Sequence, residues 1–342
     1  MISNAKRESG NRLIIHRLVT GSGSQEFAED VRKGLSSSQK FLPPKYFYDQ
    51  LGAHLFEAIC YLPEYYVTRA ETEILHTDID EIISSVNVPS NSKIQLIELG
   101  SGSSTKTRYF IETLIRHQGE LHYLPMDISE SSLEGSAEVL LRKYSGLTVT
   151  AYAADYTTAF RALAAEAESN ENRRNIVLFL GSSIGNLDYE ESVGLLSSIR
   201  SALRSGDALL LGADLKKSAD VLIPAYDDAL GLTAAFNLNL LARINRELGG
   251  EFDLKKFRHR AIYDESAGRL EMHLVSREHH RVIIQAIDLE VSFEEGEYIH
   301  TENSYKYDTD QLSALARETG FNLAKTWFDS NRRFSFNLFS AM

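Results

Sequence analysis

An α/β fold built on a parallel sheet is the class this sequence predicts, and two observations predict it. Short apolar runs at residues 94–99, 121–126, 148–153, 176–180 and 208–212 alternate with helical stretches at 105–116, 130–144, 157–168 and 190–203. Runs of that length, separated by helices, fit strands of a parallel sheet covered on both faces. The first run also ends in a glycine turn, Glu98-Leu-Gly-Ser-Gly102, that opens a helix. Ligands of such sheets bind beyond the C-terminal strand ends, near the topological switch point. Glu98, Asp127 and Gly181 stand at or just after such ends.

The remaining elements follow in order. Residues 1–11 are polar and expected to be loose, and Leu13-Ile-Ile-His-Arg-Leu-Val is too short and interrupted for the apolar core of a signal peptide. Helices are expected at 25–35 and 52–61, on either side of a loop at 36–45. A longer one is expected at 69–84, where Ile74, Leu75, Ile79 and Ile82 fall on related faces. After Asp214 the alternation breaks. Residues 216–248 read as mostly helical, and 269–274 with 281–291 alternate like a paired antiparallel hairpin. A helix at 311–319 and an aromatic-rich strand at 333–338 return to the sheet, so the interruption reads as a second domain contributing to a cleft.

Composition narrows the function. The chain has 342 residues, 43% of them hydrophobic, and a net charge of −12. An acidic chain without a basic run is a poor partner for nucleic acid, whose non-specific binding rests on phosphate neutralisation. The single Cys60 cannot form an internal disulfide, and a buried structural thiol in a reducing compartment is expected. No window approaches the ~18 apolar residues of a membrane span. A cytoplasmic enzyme without a membrane partner is expected; its oligomeric state is open, with a monomer plausible.

The glycine turn admits three ligands. Gly100-Ser-Gly-Ser-Ser-Thr-Lys106-Thr107 misses a P-loop at Thr105, and a dinucleotide fingerprint fails at the same residue. The third ligand, S-adenosylmethionine, carries no phosphate. A carboxylate at Glu98 would repel phosphates and suit a cationic sulfonium. Asp127, closing the next strand, is placed to accept ribose hydroxyls, with capping of the following helix alongside Ser129 as the lesser alternative. Asp155, closing the strand after that, could hold an adenine amino group.

Gly181-Ser-Ser183-Ile-Gly185 matches a nucleophile elbow, and histidines lie downstream at 259, 273, 279, 280 and 300. The elbow requires its serine to lead straight into a helix, whereas Asn186-Leu-Asp188 intervenes and Asp188 reads as the helix cap. Metal chemistry finds one cysteine, no H-E-x-x-H and no histidine–carboxylate cluster at ligand spacing, so no metal is expected. Tyrosines gather near the N-terminus at 46, 48, 61, 65 and 66, where core packing is the usual alternative to function.

Several blocks together are more specific than the loop. They are Leu42-Pro-Pro-Lys-Tyr-Phe-Tyr-Asp49, Leu62-Pro-Glu-Tyr-Tyr66, Thr68-Arg-Ala-Glu71, Glu98-Leu-Gly-Ser-Gly102 with Lys106-Thr-Arg108, and Phe179-Leu-Gly-Ser-Ser-Ile-Gly-Asn-Leu187. Ala225-Tyr-Asp-Asp-Ala229, Thr233-Ala-Ala-Phe-Asn237 and Thr301-Glu-Asn-Ser304 follow. In these blocks the chain resembles, along nearly its whole length, the ergothioneine-pathway L-histidine Nα-methyltransferases. The resemblance implies a Rossmann-like class I methyltransferase sheet with an inserted substrate-binding domain. Residues 69–214 and 307–342 would bind S-adenosylmethionine, and 1–68 with 215–306 would bind histidine and its mono- and dimethyl forms.

It also implies roles. Asn186 and Tyr226 would hold the histidine carboxylate, and Tyr48 and Tyr65 would surround the α-amine as the catalytic pair. Glu302 and Ser304 would bond the imidazole, with Phe236 and Met272 lining the pocket. Gly100, Lys106, Asp127, Asp155 and Gly181 would serve the cofactor. Asn303, Val67 and Tyr46 depart from the family's usual residues; in an extended segment Asn303 would face away from Glu302. A methyltransferase for another amino acid or aromatic amine, a hydrolase through Ser183 and a non-catalytic cofactor sensor are the competing readings.

Overall fold

The protein is described by a computed structural model covering residues 5–8, 12–18, 23–89, 92–102, 104–166 and 173–342. Its strands are β1 (Ala5–Glu8), β2 (Leu13–Arg17), β3 (Lys93–Leu99), β4 (Leu121–Asp127), β5 (Leu147–Ala153), β6 (Arg173–Phe179) and β7 (Ala208–Asp214). They continue as β8 (Phe257–Asp264), β9 (Arg269–Ser276), β10 (His280–Ile284), β11 (Leu289–Phe293), β12 (Tyr298–Tyr305), β13 (Phe321–Phe328) and β14 (Phe334–Ala341).

The chain divides into two compact units, Met1–Thr20, Ala70–Leu215 and Tyr307–Met342 in the first, Gly21–Arg69 and Lys216–Lys306 in the second. The first unit holds a nine-stranded sheet in the order β1-β2-β5-β4-β3-β6-β7-β14-β13. Strands β2 to β7 run parallel, because the helices Thr107–Gln118, Glu130–Lys143, Tyr156–Glu166 and Tyr189–Ala202 return the chain between them. The apolar runs fill the interior: every residue of β7 is buried, as are Leu96, Ile97, Val177 and Phe179. The order reverses between β3 and β6, so Gly100 and Gly181 follow the two strands at the switch point.

Two expectations need correction. Residues 5–8 and 12–18, placed with the substrate domain, group with the sheet instead, because β2 pairs in parallel with β5. Leu13 and Ile15 are buried there while Ile14 and His16 are less so, the alternation of a strand rather than of a loose tail. Within residues 1–11 only β1 is described, and the last two residues of the helix expected at 157–168 lie outside the described residues. The hairpin of 269–274 with 281–291 does not form. Segment 281–291 folds on itself as β10 and β11, through a turn with Asp288 at φ 44°, while β9 pairs with β8 and β12. Finally, β13 went unread because its alternation is interrupted by a bulge between Leu323 and Lys325.

The second unit holds the three-stranded sheet β12-β9-β8, the β10–β11 hairpin and the helices Gly23–Ser36, Gln50–Ile59, Ala219–Tyr226 and Leu232–Leu248. On β12 a register shift between His300 and Glu302 turns Glu302 and Ser304 to the buried face, with Asn303 on the other.

Candidate active site

In the first unit the loop after β3 is shaped by backbone. Gly100 has φ 65° and Gly102 φ 46°, and a Cβ on Gly100 would lie 2.6 Å from the Tyr156 hydroxyl. Only glycine fits that conformation and that gap. Asp127 braces the loop: one carboxylate oxygen accepts the Gly102 N–H at 3.2 Å, the other the Ser129 N–H at 2.9 Å. Burial raises its carboxyl against the N–H groups of Ser129, Gly102 and Ile128. The cap of the next helix is Ser129, which accepts from Ser132, so Asp127 is not that cap.

Asp155 lies at its strand end, with both oxygens engaged by the backbone and hydroxyl of Thr158 at 3.0 and 2.6 Å. Burial raises it, but these bonds outweigh burial and hold it below the usual range. Glu98 is corrected outright. It does not face a ligand: its carboxylate is buried, accepting Thr107 Oγ1 at 2.5 Å and the Tyr123 hydroxyl.

Lys106 and Gly181 come together around a residue that sequence reasoning passed over. Glu71 is fully buried, pairs with Lys106 and accepts the Gly181 N–H at 2.8 Å. A Cβ at Gly212 would sit 2.3 Å from its carboxylate. The signal was present, because Glu71 shares a helix face with Ile74 and Leu75, where an acid is anomalous. With Lys106 neutralised by Glu71, the loop lacks the phosphate-seeking lysine of a P-loop. Ser101 Oγ in this loop is buried without a hydrogen-bond partner among the described residues. Backbone N–H groups, carboxylates and an orphaned hydroxyl fit a ribose-bearing, phosphate-free cofactor such as S-adenosylmethionine.

The elbow reading fails on geometry. Ser183 Oγ donates to the Leu180 carbonyl at 2.9 Å and begins a 3-10 turn, Ser183–Asn186, not a helix. Asp188 caps Tyr189–Ala202 with a full capping box. The downstream histidines are engaged in the second unit: His259 with Asn237, His273 with Glu271, His279 with Glu294, His280 with the Glu278 carbonyl and His300 with Asn303. Asn186 closes the 3-10 turn in the first unit.

In the second unit a run of aromatic rings packs in series. Phe236 stacks on Phe47 at 4.5 Å between centroids and meets Tyr48 at 5.8 Å and Phe56 at 5.9 Å. Phe56 leads to Tyr65 at 6.1 Å, and Tyr65 to Tyr226 at 6.1 Å. Asp49 fixes the start: it caps Gln50–Ile59 through Gly52 at 2.7 Å and accepts from Asn239 at 2.8 Å, anchoring the segment that carries Tyr48. Tyr48 is 45% exposed and Tyr65 buried. Burial, with Tyr226, Cys60, Tyr48 and Glu302 nearby, pushes the Tyr65 phenol well up, so it stays protonated.

Glu302 pairs with Met272 across β12 and β9, and both are buried. Among the described residues none donates a hydrogen bond to the Glu302 carboxylate. Burial raises it to about 7, against the nearby charge of Lys306. Ser304 Oγ lies 2.8 Å from the Tyr226 hydroxyl.

The opposite sheet face gathers Glu271, His273 and His300, with ligand atoms within 4.8 Å of one another. Sequence spacing missed this because the residues sit on two strands. Arg269 binds Glu271 at 2.6 Å, and Arg258, Arg260 and Asp264 line the adjoining groove.

Comparison with known proteins agrees with these features. Residues 27–341 match the model of the family described as histidine-specific methyltransferase, SAM-dependent. The chain is 39% identical to the histidine N-alpha-methyltransferase of Mycobacterium tuberculosis, over 95% of its length and 98% of that protein. It is 38% identical to the Mycolicibacterium smegmatis enzyme of the same name, with the same coverage. With ergothioneine biosynthesis protein 1 of Schizosaccharomyces pombe it shares 28% identity, over 87% of this chain and 38% of that longer protein. Carrying the family's pattern over nearly its whole length, the chain belongs to the S-adenosylmethionine-dependent, histidine-specific methyltransferases.

Proposed function

We propose that this protein transfers methyl groups from S-adenosylmethionine to the α-amino nitrogen of L-histidine, up to trimethylhistidine (hercynine), the first step of ergothioneine biosynthesis. The observation that carries the reading is Glu302: a buried carboxylate without a hydrogen-bond donor among the described residues, beside Met272 and two residues from a buried hydroxyl. An imidazole N–H is the partner that such an acceptor lacks, and a charge-assisted bond to it would orient the ring.

S-adenosylmethionine, when bound, supplies the activated methyl group. The chain's own contribution is to position a neutral amine for in-line attack. Tyr65, held as a phenol, offers the α-amine a hydrogen bond without charge, and a pocket of neutral phenols favours the uncharged amine. Gly100, Asp127 and Gly181 are assigned to the cofactor, and Lys106 acts with Glu71 as their support. Among the described residues no helix is long and apolar enough to cross a membrane. We assign the enzyme to the cytoplasm, with small molecules rather than nucleic acid or membrane as partners.

Mass spectrometry of purified protein incubated with S-adenosylmethionine and either histidine or tryptophan tests the reading. Histidine carrying one to three added methyl groups is expected. Methylation of tryptophan alone would favour the aromatic-amine alternative, and cofactor binding without any methylated product would favour a sensor.

A further inference from the structure

The face of the β12-β9-β8 sheet opposite Glu302 carries a cluster with no part in the proposed reaction. Strands β12 and β9 pair His300 with His273 and Asn303 with Glu271, and Thr301 is the extra residue of the bulge between those pairs. In a regular strand His300 and Asn303, three apart, would stand on opposite faces. The inserted residue brings both beside Glu271 and His273 while Glu302 turns to the buried face. The Thr301 hydroxyl donates to the Met272 carbonyl at 2.8 Å and fixes the bulge.

The donors of this cluster converge. One ligand atom from each of Glu271, His273 and His300 lies within 4.8 Å of the others. His273 is buried, with its Nε2 at 2.8 Å from Glu271 Oε2, and Tyr298 stacks on its ring at 4.1 Å between centroids. Arg269 takes the other carboxylate oxygen, Oε1, through Nε at 2.8 Å and Nη2 at 2.6 Å, which orients the group and leaves Oε2 on the histidine side. His300 Nε2 lies 2.9 Å from Asn303 Oδ1. An amide oxygen only accepts, so this nitrogen carries the proton and the neutral ring keeps its lone pair on Nδ1. Metal-ligating histidines are held in this way, by an acceptor on the nitrogen that does not bind.

We propose that Glu271, His273 and His300 form a site for a divalent cation of the zinc class, with Asn303 and Arg269 as positioning residues and solvent completing the coordination. Two imidazoles and one carboxylate are the donor set of zinc and its neighbours, whereas calcium and magnesium take oxygen ligands. On binding, the cation takes the place of the proton between His273 Nε2 and Glu271 Oε2. That proton leaves to solvent and one is taken up at Nδ1, so the ring stays neutral and no net proton is released. Arg258 and Arg260 in the adjoining groove oppose a cation, but both are exposed to screening by water and salt, and Asp264 lines the same groove. With ligands on both strands, the cation ties β12 to β9 at the bulge.

The test titrates full-length protein, stripped of metal by a chelator, with cobalt(II) and with zinc. Cobalt(II) should bind at one equivalent per chain with the visible absorption of a four-coordinate site, zinc should bleach that absorption, and zinc should raise Tm. Glu271→Gln and His300→Gln should each abolish the absorption. Asn303→Leu should keep it but weaken zinc binding in calorimetry roughly tenfold or more. A cooperative melting transition without metal shows that a variant is folded. Should either ligand variant fail to fold, Asn303→Leu, which leaves all three ligands in place, carries the comparison. No cobalt absorption in the wild type, or absorption retained in Glu271→Gln and His300→Gln, would overturn the proposal, the latter by placing the metal on other histidines. Wild-type affinity in Asn303→Leu would overturn the role given to Asn303.

Discussion

Two buried carboxylates, one in each unit, have the same raised pKa of about 7 and opposite surroundings. Glu98, under the glycine loop, has both oxygens occupied, by Thr107 and Tyr123. Glu302, beside Met272 in the second unit, has no donor among the described residues and only the charge of Lys306 to offset its burial. Desolvation alone therefore does not mark a functional acid. What separates them is whether the carboxylate's hydrogen-bonding capacity is already used. The same contrast runs through the two regions: Glu98, Glu71 and Asp155 spend their oxygens on holding the first unit's loops, while the second unit keeps an acceptor open among phenols.

The largest effect that would sharpen this comparison is on the first unit's internal pair. Lys106→Met leaves Glu71 buried without its cation, and breaking such a pair costs about 3 kcal/mol or more. Urea unfolding should show that loss. A change under about 1 kcal/mol, typical of exposed pairs, would mean that Glu71 is reached by water.

Asp127→Ala comes next. It removes the acceptor bracing Gly102 and the one assigned to the ribose, at about 1–3 kcal/mol. The calorimetric dissociation constant for S-adenosylmethionine should rise roughly tenfold or more. An unchanged constant with the fold intact would remove Asp127 from the cofactor site.

Glu98 gives the smallest effect and the clearest sign. Its folded value of about 7 lies above the unfolded value of 4.5, so across that window the folded state binds more protons. Stability from this group is present below 4.5 and lost as pH rises through about 7. Glu98→Gln should flatten the fall of Tm across that window. A variant retaining the wild-type slope would show that Glu98 is ionised in the fold.

Much of this arrangement was legible in the sequence where pattern and position coincide. The strand ends at Leu99, Asp127 and Phe179 could be placed because uninterrupted apolar runs stop at Gly or Asp, and the switch point follows from their order. Side-chain direction at the end of a run was not legible. Glu98 looked like a ligand-facing acid, and only its long-range partner Tyr123 shows that it turns inward. Strand pairing in the second unit was misread for the same reason, since alternation in 269–274 fits several partners equally and the turn at Asp288 decides. Lys306 escaped notice because a lysine at a strand end ordinarily reads as solvated; its burial depends on Tyr226, 80 residues away in sequence. The pairing of Glu302 with Ser304 rested on the resemblance and on a two-residue spacing, and the bulge after His300 is what puts that spacing on the buried face.

The open acceptor is the centre of this account, and Glu302→Ala tests it most directly. A charge-assisted hydrogen bond in a buried pocket contributes about 1.5–3 kcal/mol, so kcat/KM for histidine should fall roughly ten- to a hundredfold. The loss for tryptophan, whose ring has no second nitrogen to satisfy, should be much smaller. Equal losses for both substrates would contradict the account, by showing that Glu302 supports the fold of its unit and does not read the imidazole.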